Sequence, residues 1–226
     1  MEKIYLFPTT VWKVKVDPNS YDKDVFVRTV VENYRRDPYR NMWSNEGTLH
    51  HSYNDWDNEK FVKYDLSSLQ AVYSKIIDDF ANAVGLVRPT KYSFEIANVT
   101  ANKGGQYMAE HDHVVDWGGK STSFVAVHYV KYEKHQPSTT FLNPMAIARH
   151  PTFFDYVRRN FPDNNSEYSN YQETWEMCTE EDDFVIFPSY LKHKVRGNWR
   201  DKKPNELRIT TAVNIDFEKS WLNEQS

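Results

Sequence analysis

Beyond Pro89 the chain breaks into short extended runs separated by glycine pairs and polar turns, and this pattern constrains the fold more than any other feature. Tyr92 to Thr100 (YSFEIANVT) alternates, and the two-residue period of a strand puts Phe94, Ile96 and Asn98 on one face. Gly104 and Gly105 turn the chain into an extended run from Gln106 to His113, and Gly118 and Gly119 turn it again. Ser123 to Tyr132 is mostly apolar, as expected of a strand covered on both faces. Further runs follow at Thr139 to Leu142, Tyr171 to Thr179, Phe184 to Pro188 and Leu207 to Phe217. Many short strands joined by turns predict a double-sheet jelly roll.

The first part of the chain has a different texture. Ile4 to Val16 reads as an edge strand interrupted at Pro8. Tyr21 to Arg35 predicts a helix with an apolar stripe of Val25, Val27, Val30, Val31 and Tyr34. Leu66 to Val84 predicts a second, with Leu69, Val72, Tyr73, Ile76, Ile77 and Phe80 at spacings of three and four and Gly85 as its stop. Both helices are expected to cover one face of a sheet. Asp37 to Asp57 reads as an irregular loop whose Trp43, Tyr53 and Trp56 can reach a site mouth. Residues 143–170 read as an insertion, with a short helix around Phe153 to Arg158. The expectation is one mainly β domain over 1–226, with helix-rich support in 1–88 and a cupin-like double-stranded β-helix in 89–226.

Composition excludes several classes. With 28 basic and 32 acidic residues the formal charge is −4, and no long basic run suits a general nucleic-acid binder. A single cysteine, Cys178, rules out an intramolecular disulfide or a thiolate metal cluster. No stretch approaches the ~20 apolar residues that a membrane helix needs, and MEKIYLFPTTVWKVKV lacks the unbroken apolar region of a signal peptide. A soluble, cytoplasmic protein is expected.

Histidines carry the functional signal. His111 and His113 are two apart, so on an extended strand they share a face while Asp112 points away. His193 follows an apolar strand and a Phe-Pro-Ser turn, from which a strand partner can return its imidazole to the pair. Two imidazoles plus a remote third make a plausible three-ligand metal site. Arg208 stands on an apolar strand, where a guanidinium calls for an anion: either a core carboxylate or a ligand. His50, His51, His128, His135 and His150 are assigned structural or surface roles.

The ordered set of the histidine pair, FPSxLxH and RIT in the final strand resembles the iron(II)/2-oxoglutarate-dependent oxygenases. More narrowly, it is similar to oxygenase-like proteins of marine bacteria and their phages, a likeness extending to FPTTVW, the Asn98-Val99 strand and VHYVKY. That resemblance implies a double-stranded β-helix with the metal at one open end. His111 becomes the first iron(II) ligand and His193 the distal histidine. Arg208 would bind the far carboxylate of 2-oxoglutarate with Thr210 beside it, and Tyr107, Asn98 and Tyr129 are further candidates for contact with the cosubstrate. No catalytic side chain beyond the metal centre is implied. Most of that superfamily has a carboxylate two residues after the first histidine; here His113 stands there, with Asp112 or Asp116 as alternatives. The implied reaction consumes dioxygen, releases succinate and carbon dioxide, and hydroxylates a substrate that the sequence does not name. Two other readings stay open: a three-histidine cupin-type dioxygenase working without 2-oxoglutarate, and a non-enzymatic jelly-roll binding or structural module.

Overall fold

The computed structural model describes residues 9–40, 49–52, 59–84, 92–114, 116–117, 120–145, 173–198 and 205–217. Apolar spacing sets its two helices. Helix α1 (Lys23–Arg36) buries Phe26, Val30, Asn33 and Tyr34, a stripe recurring every turn. The stripe is rotated from the expected row of valines, and Val25 is exposed. Asn33 takes an inward position because its amide is satisfied there. It donates to the Val62 carbonyl at 2.9 Å and accepts from the Val62 N–H at 2.8 Å. Helix α2 (Ser67–Ala83) buries Leu69, Tyr73, Ile77 and Phe80, as its spacing predicts.

The strands are β1 (Trp12–Lys15), β2 (His50–His51), β3 (Tyr92–Asn102), β4 (Met108–His111), β5 (Asp116–Trp117), β6 (Lys120–Ser121), β7 (Phe124–Lys131), β8 (Thr139–Leu142), β9 (Thr174–Glu176), β10 (Asp183–Pro188), β11 (His193–Val195) and β12 (Arg208–Phe217). Six form an antiparallel sheet in the order β1-β10-β7-β12-β3-β2, four form a second in the order β4-β11-β8-β9, and β5 pairs with β6. The chain passes from the larger sheet to the smaller at β3–β4, β7–β8 and β10–β11. This winding is the double-stranded β-helix that the strand pattern predicts. Within the expected strand at Tyr171 to Thr179, β9 forms and Met177 to Thr179 are not strand, while Tyr171 and Gln172 lie outside the described residues; of the expected insertion only residues 143–145 are among those described. Residues Ile4 to Pro8, Trp43, Tyr53, Trp56, Gly85 and His150 lie outside them. No helix among the described residues is long and apolar enough to cross a membrane.

Each face of the larger sheet has its own core. Ile96, Val99, Val130, Ile209 and Val213 pack with the helices, and Val125, Tyr129, Val185 and Phe187 pack with Phe141 of the smaller sheet. A polar network crosses the helix side. The Tyr73 hydroxyl is 2.8 Å from both His128 Nδ1 and Thr211 Oγ1. His128 Nε2 lies 3.8 Å from Asp182, which is bound by Lys23 at 2.7 Å.

Two one-residue bulges decide which side chains face the cavity between the sheets. Ala212 opposes Asn98 and Val213 opposes Ile96, so Ala97 is an extra residue in β3. The expected common face of Phe94, Ile96 and Asn98 is therefore split. Phe94 and Ile96 pack on the helix side, while Asn98 lines the cavity. In β4, His111 opposes His193 and Met108 opposes Val195, which again inserts one residue. Met108 and His111 both line the cavity, and Tyr107, a candidate for cosubstrate contact, lies one position off and is 38% exposed.

Candidate metal centre

His111 ends β4 directly opposite His193 of β11, and directly opposed residues of an antiparallel pair share a face. His113 lies past the end of β4, where its N–H donates to the Ser189 carbonyl at 3.0 Å and holds the chain beside the β10–β11 turn. Ring centroids are 4.3 Å apart for His111 and His193, 5.2 Å for His113 and His193, and 5.3 Å for His111 and His113. One ring nitrogen from each lies within 4.8 Å of the other two. The three could converge on a single ion.

Backbone carbonyls fix two of the rings. His111 Nδ1 is 2.9 Å from the Ala109 carbonyl and His193 Nδ1 is 3.0 Å from that of Leu191. A carbonyl only accepts, so each Nδ1 must donate, which leaves the lone pair on Nε2. His193 is 4% exposed and boxed by the rings of Phe187 at 4.9 Å and Phe141 at 6.1 Å. Burial, reinforced by His111 and His113, holds its imidazolium form well below the usual range. Burial and then His111 bring His113 down to about 4. Neutral imidazole is the ligating form.

These depressed values carry a pH dependence. An unfolded chain protonates these histidines near 6.5, whereas the folded protein resists until far lower pH. Their contribution to stability is thus complete above about 6.5 and is lost as pH falls towards about 4. The melting temperature of the metal-free protein should therefore drop steadily between pH 7 and pH 4. A profile flat down to pH 5 in a thermal-melt series would contradict this.

The triad opens into a cavity lined also by Arg208, Thr210, Asn98, Thr100, His51 and Ala212. Arg208 is 2% exposed. Its Nη1 makes only long contacts, 3.4 Å to Asn102 Oδ1 and 3.5 Å to Thr210 Oγ1, and its Nε has no hydrogen-bond partner. Its guanidinium carbon lies 5.1 Å from the centroid of the Tyr129 ring. No carboxylate among the described residues pairs with it. A buried cation left this way is costly, and the cavity it lines has room for an anion.

Other candidates fall in different places. Thr210 is buried and shares a hydrogen bond with Thr100 across β12 and β3. Asn98 is buried in the cavity wall with its Oδ1 lacking a partner. The Tyr129 hydroxyl is committed to Thr139 Oγ1 at 2.6 Å, so this residue offers Arg208 its ring rather than a ligand its hydroxyl. Asp112 is exposed and accepts from the Val114 N–H at 3.2 Å, forming a turn away from the triad. Asp116 lies in β5, and its side chain is outside the described residues. His51, assigned a structural or surface role from sequence, lines the cavity opposite Thr100. Burial, then His111, His50 and His113, lower it to about 3.

Two facing sheets with a cavity between them, three converging imidazoles and a buried guanidinium define a jelly roll with a candidate metal site. No family model matches this sequence, and no curated protein is similar to it. Solved structures do match. The non-heme alpha-ketoglutarate-dependent carbocyclase SnoK from nogalamycin biosynthesis superposes with a TM-score of 0.56 at 14% identity, covering 92% of this chain and 79% of that one. The viral collagen prolyl hydroxylase of Paramecium Bursaria Chlorella virus-1, in complex with 2OG, gives 0.50 at 13%, covering 91% and 95%. A Pseudomonas putida prolyl-4-hydroxylase gives 0.50 at 11%, covering 92% of each. The likeness establishes a shared fold.

Proposed function

We propose that this protein is an iron(II)- and 2-oxoglutarate-dependent oxygenase that hydroxylates a substrate yet to be identified. The carrying observation is Arg208, a buried guanidinium without a carboxylate partner among the described residues, in the same cavity as the three histidines. The solved structures of this fold named above include one described as alpha-ketoglutarate dependent and one complexed with 2OG, which supports the reading. His111, His113 and His193 would hold the metal through neutral imidazoles, leaving coordination positions for small ligands. Bound iron(II) and 2-oxoglutarate supply, with dioxygen, the oxidising chemistry, and the keto acid leaves as succinate and carbon dioxide.

The chain's own residues do the rest. Arg208 neutralises the distal carboxylate of the cosubstrate, and Thr210, fixed by Thr100, presents a hydroxyl beside it. Asn98 offers an amide oxygen to a donor on cosubstrate or substrate. Val127, Leu49 and Val195 give the cavity an apolar lining that limits water near the metal. Cys178, a free and exposed thiol, suits a reducing cytosol.

The all-histidine face also suits a cupin-type dioxygenase without 2-oxoglutarate, in which Arg208 would hold an anionic group of the substrate itself. An anaerobic titration separates the readings. Adding 2-oxoglutarate to the iron(II)-loaded protein should produce a visible charge-transfer band, and admitting dioxygen should then release succinate even without substrate. Iron binding with no response to 2-oxoglutarate would favour the cupin reading, and no iron binding would favour a non-enzymatic module.

A further inference from the structure

The charge in the cavity does not balance. Among the described residues, none that lines it is acidic. Three described carboxylates close in sequence to lining residues have other partners: Asp112 accepts from the Val114 N–H, Glu110 pairs with Lys192 at 3.7 Å, and Glu95 accepts from the Asn214 amide at 3.3 Å. His51 adds a fourth imidazole to the wall, and an imidazole side chain supplies no negative charge. On the function proposed above, a divalent metal and Arg208 bring three positive charges, and 2-oxoglutarate brings two negative ones. A carboxylate ligand, where present, cancels the third, but here an imidazole stands in its place. An uncompensated charge in a largely buried cavity is unfavourable.

We infer that the cavity takes, besides 2-oxoglutarate, a second anionic group, carried by the substrate or arriving as a free monoanion. The inference rests on the proposed function, and the test keeps the two apart. The protein is loaded with cobalt(II) and 2-oxoglutarate, and its visible absorption is followed while sodium azide, or in a parallel series sodium acetate, is added. Azide should bind the wild-type protein at least about tenfold more tightly than His113→Asp, which restores one negative charge to the metal face. Ala212→Asp places the same charge on the cavity wall and should weaken azide likewise, which covers a failure of His113→Asp to hold metal.

Acetate binding alongside azide would assign the anion to a substrate carboxylate, and azide binding alone to a free monoanion. Equal azide affinities in the wild type and both variants, with 2-oxoglutarate bound throughout, would overturn this inference and leave the proposed function standing. Tighter azide binding by Asp116→Asn than by wild type would also overturn it, because the missing charge would then come from the chain itself. Failure of the wild type to bind 2-oxoglutarate would overturn both.

Discussion

Replacing Arg208 with methionine is expected to abolish useful binding of 2-oxoglutarate while leaving the metal-free protein at least as stable as before. The two effects have one origin. In the absence of ligand, the guanidinium is buried with contacts of 3.4 and 3.5 Å and no partner at Nε. Methionine fills similar volume without a charge to desolvate, and exchanging buried ionic groups for apolar ones is often neutral or stabilising by about 1–4 kcal/mol. With ligand, the same change leaves a carboxylate buried without its cation. Truncating one partner of such a pair costs about 2–5 kcal/mol, or about thirtyfold to several thousandfold in affinity. Urea denaturation and the charge-transfer titration read the two halves separately. A large loss of stability with cosubstrate affinity intact would show Arg208 to be a structural residue.

The second large effect belongs to His193. Substitution by alanine should lower metal affinity by at least about two orders of magnitude, since changing even groups that merely orient a ligand costs about 10–100-fold. His193 is the most enclosed of the three, held through Nδ1 by the Leu191 carbonyl and walled by Phe187 and Phe141. Exposed side chains have little chance of substituting for it there. Metal content after dialysis, measured on protein whose circular dichroism matches the wild type, checks this. Full metal occupancy in His193→Ala would dissolve the triad as a metal site.

The sequence made some of this legible and concealed the rest for identifiable reasons. Helix α2 and the strand succession follow from side-chain period, which is local, and the jelly-roll winding follows from strand number and spacing. His111, His113, His193 and Arg208 stand out by chemistry, and they do line one cavity. Alternation failed at the bulges in β3 and β4. The extra residue at Ala97 carries Asn98 to the cavity, away from Phe94 and Ile96, and the one in β4 turns Tyr107 outward. Cross-strand hydrogen bonding sets a bulge, and a single strand's pattern does not record it. His51 was missed because β2 is two residues long and reaches the site only by pairing with Thr100. One signal was present: in an extended His-His pair the two side chains point to opposite faces, so one of them must face inward.

Tyr73, on the far side of the larger sheet, bears on the site although it never touches the cavity. Its hydroxyl ties Thr211 and His128 to helix α2. Were β12 to slide by one residue against its neighbours, every side chain would exchange faces, with Ile209 and Val213 entering the cavity and Arg208 driven against the helices. Hydrophobic pattern alone resists such a slip weakly along Thr210-Thr211-Ala212, where three small residues could sit on either side. Tyr73 opposes the slip that would bring Ala212 to its hydroxyl, because alanine cannot make the hydrogen bond that Thr211 makes. The helical layer is thus an indexing stop for the strand that carries the guanidinium.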